Sequence, residues 1–402
     1  MRVLLISWEY PPVIEGGLGR HVRKLCESLA GDGVEVHVLT RGGGRLPTEA
    51  EQHGVIVHRV RMGGRGSTFP RDPTAFVRWV DAMNGHMHAL AAELCDRIEF
   101  DLVHSHDWLV AGAAHLAARE IDRPWLVTVH ATEYGRHQGW VQNHPQSHIH
   151  AAERAMVRRA DHVITCSRYM RVHVANVFGI RPSKITAIPN GVDPRDLEPI
   201  EPDLPALRAR YAAPEELLVL LVGRLVYEKG FHLALDALAP ILRRRGGVRF
   251  VVAGTGAAEA ELQRQARQLG LAGHGVFLGW IGDDMLHSLY RVSDLCIVPS
   301  IYEPFGLVAL EAMASGCLCV VADTGGLREV VPVEGTVGLR FPSRDATALR
   351  GVLERVLTDD VERAQLIAEA REHVLRFDWA EVARRTAELY GALAAGAFTP
   401  AR

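Results

Sequence analysis

Short apolar runs alternate with longer stretches of helical period along almost the whole chain. In the first half, RVLLIS (2–7), VEVHVLT (34–40), VIVHRV (55–60), DLVHSH (101–106), WLVTVH (125–130), HVITCS (162–167) and ITAIPN (185–190) have the length and β-branched content of buried strands. Segments such as HVRKLCESLA (21–30) and VRWVDAMNGHMHALAAEL (77–94) fill the gaps with helical patterns. Strand–helix alternation predicts a parallel sheet with helices on both faces. The pattern breaks at Pro189-Asn190-Gly191-Val192-Asp193-Pro194, and a Pro- and acid-rich stretch follows to about Pro205. It then restarts with LLVLLVGR (217–224), VRFVVAGTG (248–256), VFLGW (276–280), LCIVPS (295–300) and CLCVVAD (317–323). The reading is two doubly wound α/β domains, 1–192 and 193–377, with a last helix at about 378–395 packing back on the first. Residues after it read as a loose tail. Two such sheets are expected to face each other across a cleft that closes on a ligand by hinge motion.

Composition agrees with this picture and narrows it. A chain of 402 residues is too long for one ordinary core. Hydrophobic residues at 48% and charged ones at 23% are those of a globular protein. A net charge of −3 gives no reason to expect a nucleic-acid partner. No apolar run reaches the roughly 20 residues that span a bilayer, and the start, MRVLLISWEYPP, lacks the layout of a signal peptide. The six cysteines are scattered, with no C-x-x-C, and read as small core residues of a reduced, cytoplasmic protein.

The chemistry gathers at strand ends. Pro299 to Gly316, PSIYEPFGLVALEAMASG, carries Glu303 and Glu311 eight positions apart with a Pro304-Phe305-Gly306 turn between. This reads as strand, acidic loop, helix N-terminus and a second acid about two turns on, at the sheet edge where open α/β proteins bind ligands. Gly223-Arg224-Leu225-Val226-Tyr227-Glu228-Lys229-Gly230 puts two cations at another strand end. Arg as a clamp and Lys as a point charge suit a diphosphate. Glu15-Gly16-Gly17-Leu18-Gly19 follows the first strand and is expected to open a helix at about Arg20, with backbone N–H groups that favour an anion. It is not G-x-G-x-x-G. In the first half, strand ends also carry His104, His106 and Asp107, then His130, then Asn190-Gly191. His144, His148 and His150 have a spacing that could ligate a metal, but no cysteine or acidic partner pattern accompanies them, so no metal site is expected.

These motifs resemble those of the retaining glycosyltransferases of family 4, which have the GT-B fold and are close to the glycogen and starch synthases. The resemblance rests on S-x-Y-E-P-F-G-L-x-x-L-E-A (Ser300 to Ala312), G-R-L-x-x-E-K-G, the early G-G-L-G and P-N-G-V-D, in order along the whole chain. W-E-Y-P-P-x-x-x-G-G-L-G, H-D-W (His106 to Trp108) and H-A-T-E-x-G-R-H (His130 to His137) look like bacterial α-1,4-glucosyltransferases that build glycogen-like or methylglucose-containing glucans. The resemblance implies that Glu303 contacts the donor sugar, while N–H groups of Phe305, Gly306 and Leu307 help hold sugar and phosphate. Glu311 would bind the ribose. Arg224 and Lys229 would neutralise the diphosphate leaving group, which Gly16 and Gly17 approach. His130 would lie near the sugar's 6-hydroxyl with Asn190 close by, and Asp107 toward the acceptor. Base contacts are expected around Trp280 and Ile281. Longer glycogen synthases have a lysine where Glu15 stands here, so Glu15 is expected to point to the acceptor or to solvent.

The expected partners are ADP-glucose or UDP-glucose and an α-glucan acceptor, with no metal or cofactor. Membrane association is not expected. The rivals are a family 4 enzyme that glycosylates a lipid or small molecule at a membrane, with Arg154, Arg158, Arg159, Arg168 and Arg171 as a basic surface, and more remotely a sugar-nucleotide epimerase.

Overall fold

The computed structural model describes residues 1–62, 70, 72–197, 203–244, 246–333 and 335–396. The middle of the expected Pro- and acid-rich linker, 198–202, and the tail from 397 onward lie outside the described residues. Two compact units divide the chain: Met1–Gly191 together with Trp379–Arg402, and Val192–Asp378.

The first unit holds an eight-stranded sheet. In chain order its strands are β1 (Arg2–Ile6), β2 (Glu35–Arg41), β3 (Glu49–Gln52), β4 (Val55–Val60), β5 (Leu102–His106), β6 (Trp125–Val129), β7 (His162–Thr165) and β8 (Ile185–Ala187). Across the sheet the order is β3-β4-β2-β1-β5-β6-β7-β8. Every pairing is parallel except that of β3 with β4. Strands β5 to β7 are buried throughout, and β1 at all but Arg2, because helices cover both faces of a parallel sheet. β3, sequence EAEQ, lies at the antiparallel edge with half its residues exposed. Its polar sequence hides it from hydrophobic periodicity.

The second unit holds a six-stranded sheet of β9 (Leu217–Val222), β10 (Val248–Ala253), β11 (Gly275–Gly279), β12 (Leu295–Val298), β13 (Leu318–Asp323) and β14 (Leu339–Pro342). Its order is β11-β10-β9-β12-β13-β14, all parallel. β14 was not among the expected strands; only Leu339 and Phe341 of its four residues are buried.

The first unit is completed from the far end of the chain. Helix Trp379–Ala394 lies against helix Gly17–Gly31, and its Val382, Ala383, Leu389, Tyr390 and Leu393 share one core with Val3, Leu5, Leu25, Leu29 and Val36. Two polar bonds join it to the sheet: Arg385 donates to the Ala187 carbonyl at 2.7 Å, and Tyr390 meets His104. The Tyr390 hydroxyl is 2.7 Å from His104 Nδ1, and His104 Nε2 is 2.8 Å from Thr128 Oγ1. Burial pushes the His104 imidazole down to about 3, so a neutral ring meets one partner at each nitrogen. His104 is therefore a structural residue.

Tyr390→Phe removes one partner and leaves a buried ring nitrogen unsatisfied. We expect it to destabilise the first unit by about 1–3 kcal/mol. Urea unfolding followed by tryptophan emission checks this, since Trp280 is the one tryptophan of the second unit and the other six belong to the first.

Candidate active site

In the second unit β9 and β12 are sheet neighbours, yet the chain leaves them in opposite directions, β9 toward β10 and β12 toward β13. Such a switch point opens a crevice at the strands' carboxyl ends. The two loops there carry the expected donor residues, and they touch. Gly230 has φ +68°, and a Cβ on it would sit 2.0 Å from the Pro299 carbonyl oxygen, so glycine is needed for the approach. The Ile301 N–H donates to the Glu228 carbonyl at 2.8 Å.

Between these loops Lys229 Nζ lies 2.7 Å from Glu303 Oε2, and the Ser300 hydroxyl donates to the same oxygen at 3.1 Å. Glu303 is 8% exposed, so its charge is held by these partners more than by water. The Gly326 N–H ties the Glu303 carbonyl at 2.8 Å. The family resemblance implies a phosphate for Lys229 and a sugar for Glu303; in the folded chain they hold each other.

Phe305 is buried 5.9 Å from the ring of Phe377. Gly306, at φ +116°, precedes helix Leu307–Ala314. Residues 303–306 are loop, so Glu311 stands one turn into the helix and not two. There it accepts a hydrogen bond from the Tyr290 hydroxyl at 3.0 Å. The two glutamates thus have separate partners. Arg224 is half exposed, 3.6 Å from the Glu228 carboxylate. Ile281 follows the 77% exposed Trp280 just beyond β11.

The first unit repeats the logic at β1 and β5, neighbours from which the chain also departs in opposite directions. After β1, helix Gly17–Gly31 starts three residues earlier than expected, with Gly16 at its N-cap. The positive end of that helix already carries a carboxyl group of the chain's own. Glu9 Oε2 accepts the N–H of Glu15 at 2.6 Å and of Gly16 at 3.1 Å. Glu9 is 2% exposed, and burial pushes its carboxyl up to about 7 against those two hydrogen bonds. Glu15, expected toward acceptor or solvent, has its carboxylate on Arg41 instead. Arg41 is fully buried, with its guanidinium 5.1 Å from the Trp8 ring and its Nε donating to the Trp8 carbonyl at 3.0 Å. Sequence reading passed over both Glu9 and Arg41. An acid in W-E-Y-P-P directly after a strand was the available signal.

After β5 and β6 the polar strand ends converge. The His130 N–H donates to Asp107 Oδ1 at 2.8 Å, and His130 Nε2 lies 2.9 Å from His106 Nδ1. His21, from the first helix, sits with its ring 4.6 Å from that of His130 and hydrogen-bonds the buried Asn190. Burial drives His130 down to about 4 and Asp107 up to about 6. Beneath them Glu153 receives the Glu133 N–H on both carboxylate oxygens, at 2.8 and 3.1 Å, and burial pushes it up to about 8. His130, Asn190 and Asp107, picked from sequence on separate grounds, are neighbours; His21, His106 and Glu153 complete the group.

Family models for "Glycosyl transferases group 1" and "Glycosyltransferase Family 4" match residues 205–373 and 15–196. The chain is 38% identical to a glycogen synthase of Mycobacterium tuberculosis, over 100% of this chain and 97% of that protein. It is 31% identical to a D-inositol 3-phosphate glycosyltransferase of Stackebrandtia nassauensis, over 97% of this chain and 91% of the relative. Among solved structures, sucrose-phosphate synthase from Thermosynechococcus elongatus superposes with a TM-score of 0.82 at 26% identity, covering 98% of this chain and 99% of that one.

Glu153 makes a pH prediction. Folded, it keeps its proton up to about pH 8; unfolded, only to 4.5. Between these values the folded state binds more protons, so this group's contribution is full below pH 4.5 and is lost as pH rises to 8, with a slope of order 1 kcal/mol per pH unit. Glu153→Gln should therefore gain thermal stability relative to wild type as pH rises from 5 to 8. A melting-temperature difference that does not change with pH refutes the assignment.

Proposed function

Because the chain belongs to glycosyltransferase family 4, with two doubly wound α/β units of the GT-B class, we propose that it is a retaining glucosyltransferase. It moves glucose from ADP-glucose or UDP-glucose to the non-reducing end of an α-1,4-glucan. The observation that carries this reading is the buried Glu303–Lys229 pair at a switch point, with Lys229 on the loop that carries Arg224 and Glu303 on the loop that leads into helix Leu307–Ala314. The similarity to a glycogen synthase over the full chain supports the glucan acceptor.

In this reading Glu303 takes the hydroxyls of the sugar, and N–H groups of Phe305, Gly306 and Leu307 receive sugar and phosphate. Breaking the sugar–phosphate bond develops negative charge on the leaving diphosphate. Arg224 stabilises it, and Lys229, already held by Glu303, adds a second positive charge at a fixed point. Pairing with Glu303 orients the ammonium before donor arrives, so little reorganisation is needed at the moment of reaction. Glu311 takes the ribose, with Tyr290 holding one of its oxygens, and Ile281 lies toward the base. His130 and Asn190 serve the sugar, and Asp107 the acceptor. Gly16 and Gly17 serve the phosphate, and there Glu9 is the resident carboxyl group that a diphosphate must share with or displace. Glu15 is engaged by Arg41 and is left a supporting role. Transfer is front-side, the leaving phosphate helping to deprotonate the acceptor hydroxyl, and no metal or cofactor takes part. The location is cytoplasmic, in keeping with six free cysteines.

A small phosphorylated acceptor is the second reading, favoured by the similarity to D-inositol 3-phosphate glycosyltransferases. The membrane variant has less support. No described helix is long and apolar enough to cross a membrane, and Arg158 and Arg171 of the basic surface donate to the carbonyls of Phe178 and Pro182.

A panel of nucleotide sugars against maltooligosaccharides tests the proposal. Elongation with ADP-glucose or UDP-glucose is expected; efficient use of GDP-mannose, or no elongation with any glucose donor, rejects it. Arg224→Ala should lower turnover at saturating donor by about 100-fold, and unchanged turnover would remove Arg224 from the leaving-group role.

A further inference from the structure

We propose that His21, His106 and His130 form a binding site for one divalent transition-metal ion of the zinc class. The ion is an inhibitory ligand that engages His130, and it is no cofactor of transfer. The three rings come from three elements of the first unit: the first helix, the last position of β5 and the residue after β6. One nitrogen from each ring can be chosen so that all lie within 4.8 Å of one another. His106 Nδ1 lies 2.9 Å from His130 Nε2, a hydrogen bond that a shared ion replaces. Tetrahedral zinc, with Zn–N about 2.0–2.1 Å, sets its nitrogens about 3.3 Å apart. That value falls between the two separations, so ring shifts on the order of an ångström build the site.

A second observation points to a ligand. His21 Nδ1 is buried and has no hydrogen-bond partner among the described residues. His21 is 6% exposed, so water does not satisfy this nitrogen from bulk. A nitrogen left this way destabilises the fold unless something else engages it. A proton is a poor candidate: burial and the neighbouring imidazoles push His21 and His106 well below the ordinary range. Burial, which disfavours the charged imidazole, favours the neutral ring that coordinates metal. Asp107, which accepts the His130 N–H at 2.8 Å, fixes that residue's backbone. His130 is the half-buried member and the side from which an ion arrives.

Binding itself depends on nothing beyond these residues. Its consequence for turnover rests on His130 serving the transferred sugar, as proposed above. If it does, zinc and sugar compete for one imidazole.

The test uses chelator-treated, full-length protein and Co²⁺ as a visible probe. We expect one equivalent of Co²⁺ to give intense tetrahedral d–d bands that Zn²⁺ abolishes, and affinity to fall at least 10-fold in His21→Gln. His148→Gln, which alters a histidine outside the cluster, should bind as wild type. Bands that are absent, octahedral in character, or unchanged in His21→Gln overturn the site. Where His21→Gln loses native tryptophan emission, ¹⁵N-histidine spectra of the wild type decide: one equivalent of Zn²⁺ must move three imidazole signals together, and movement of none or of a different set rejects it. Zn²⁺ that binds this way without slowing elongation leaves the site standing and removes His130 from the sugar.

Discussion

A carboxylate withdrawn from water has to be answered by the protein, and in the second unit the answer to Glu303 determines the shape of everything near it. Its charge is met by Lys229 and Ser300, which sit on loops after two different strands. Bringing Lys229 in forces the β9 loop onto Pro299, which only a glycine at 230 permits. The same loop gives its Glu228 carbonyl to Ile301, and Glu303 gives its own carbonyl to Gly326. Three loop segments are thus joined around one acid, and helix Leu307–Ala314 begins directly afterward. Breaking one partner would leave an uncompensated buried charge, a far larger loss than the pair's own net worth.

The first unit solves a related problem with the signs exchanged. Its helix N-terminus offers unsatisfied N–H groups, and the chain supplies Glu9 to fill them. Arg41, buried among Trp8 and Trp79, finds Glu15. The glycine loop is therefore held from both sides before any ligand is present. A ligand reaching Gly16 meets a preformed N–H cradle with the Glu9 carboxyl group already seated in it, which favours a ligand able to accept more hydrogen bonds than one carboxyl group.

Much of this was legible in the sequence, for identifiable reasons. Parallel strands covered on both faces must be apolar, so most of both sheets could be read directly; β3, with its polar edge sequence EAEQ, could not. The residues after strands carried the site because topology leaves only those positions at a switch point. What sequence could not supply was the pairing. Lys229 and Glu303 are far apart in the chain, and nothing local says that they meet. Counting eight residues from Glu303 to Glu311 as helix overran, because the first four are loop. His21 looked like an ordinary helix residue until the fold brought it beside His106 and His130, and Glu9 was hidden inside a motif notable for its prolines.

The helix Trp379–Ala394 adds a consequence in time. It provides Tyr390 for His104 and several side chains of the first unit's core, yet it is made after the whole second unit. Every residue of the second unit leaves the ribosome before it does. The unit that begins the chain therefore cannot bury its own core during synthesis, whereas Val192–Asp378, contiguous in sequence, has all its contacts to hand. Folding order and chain order are opposed. The nascent first unit must wait with helix Gly17–Gly31 uncovered until the whole second unit has been made and helix Trp379–Ala394 has followed it.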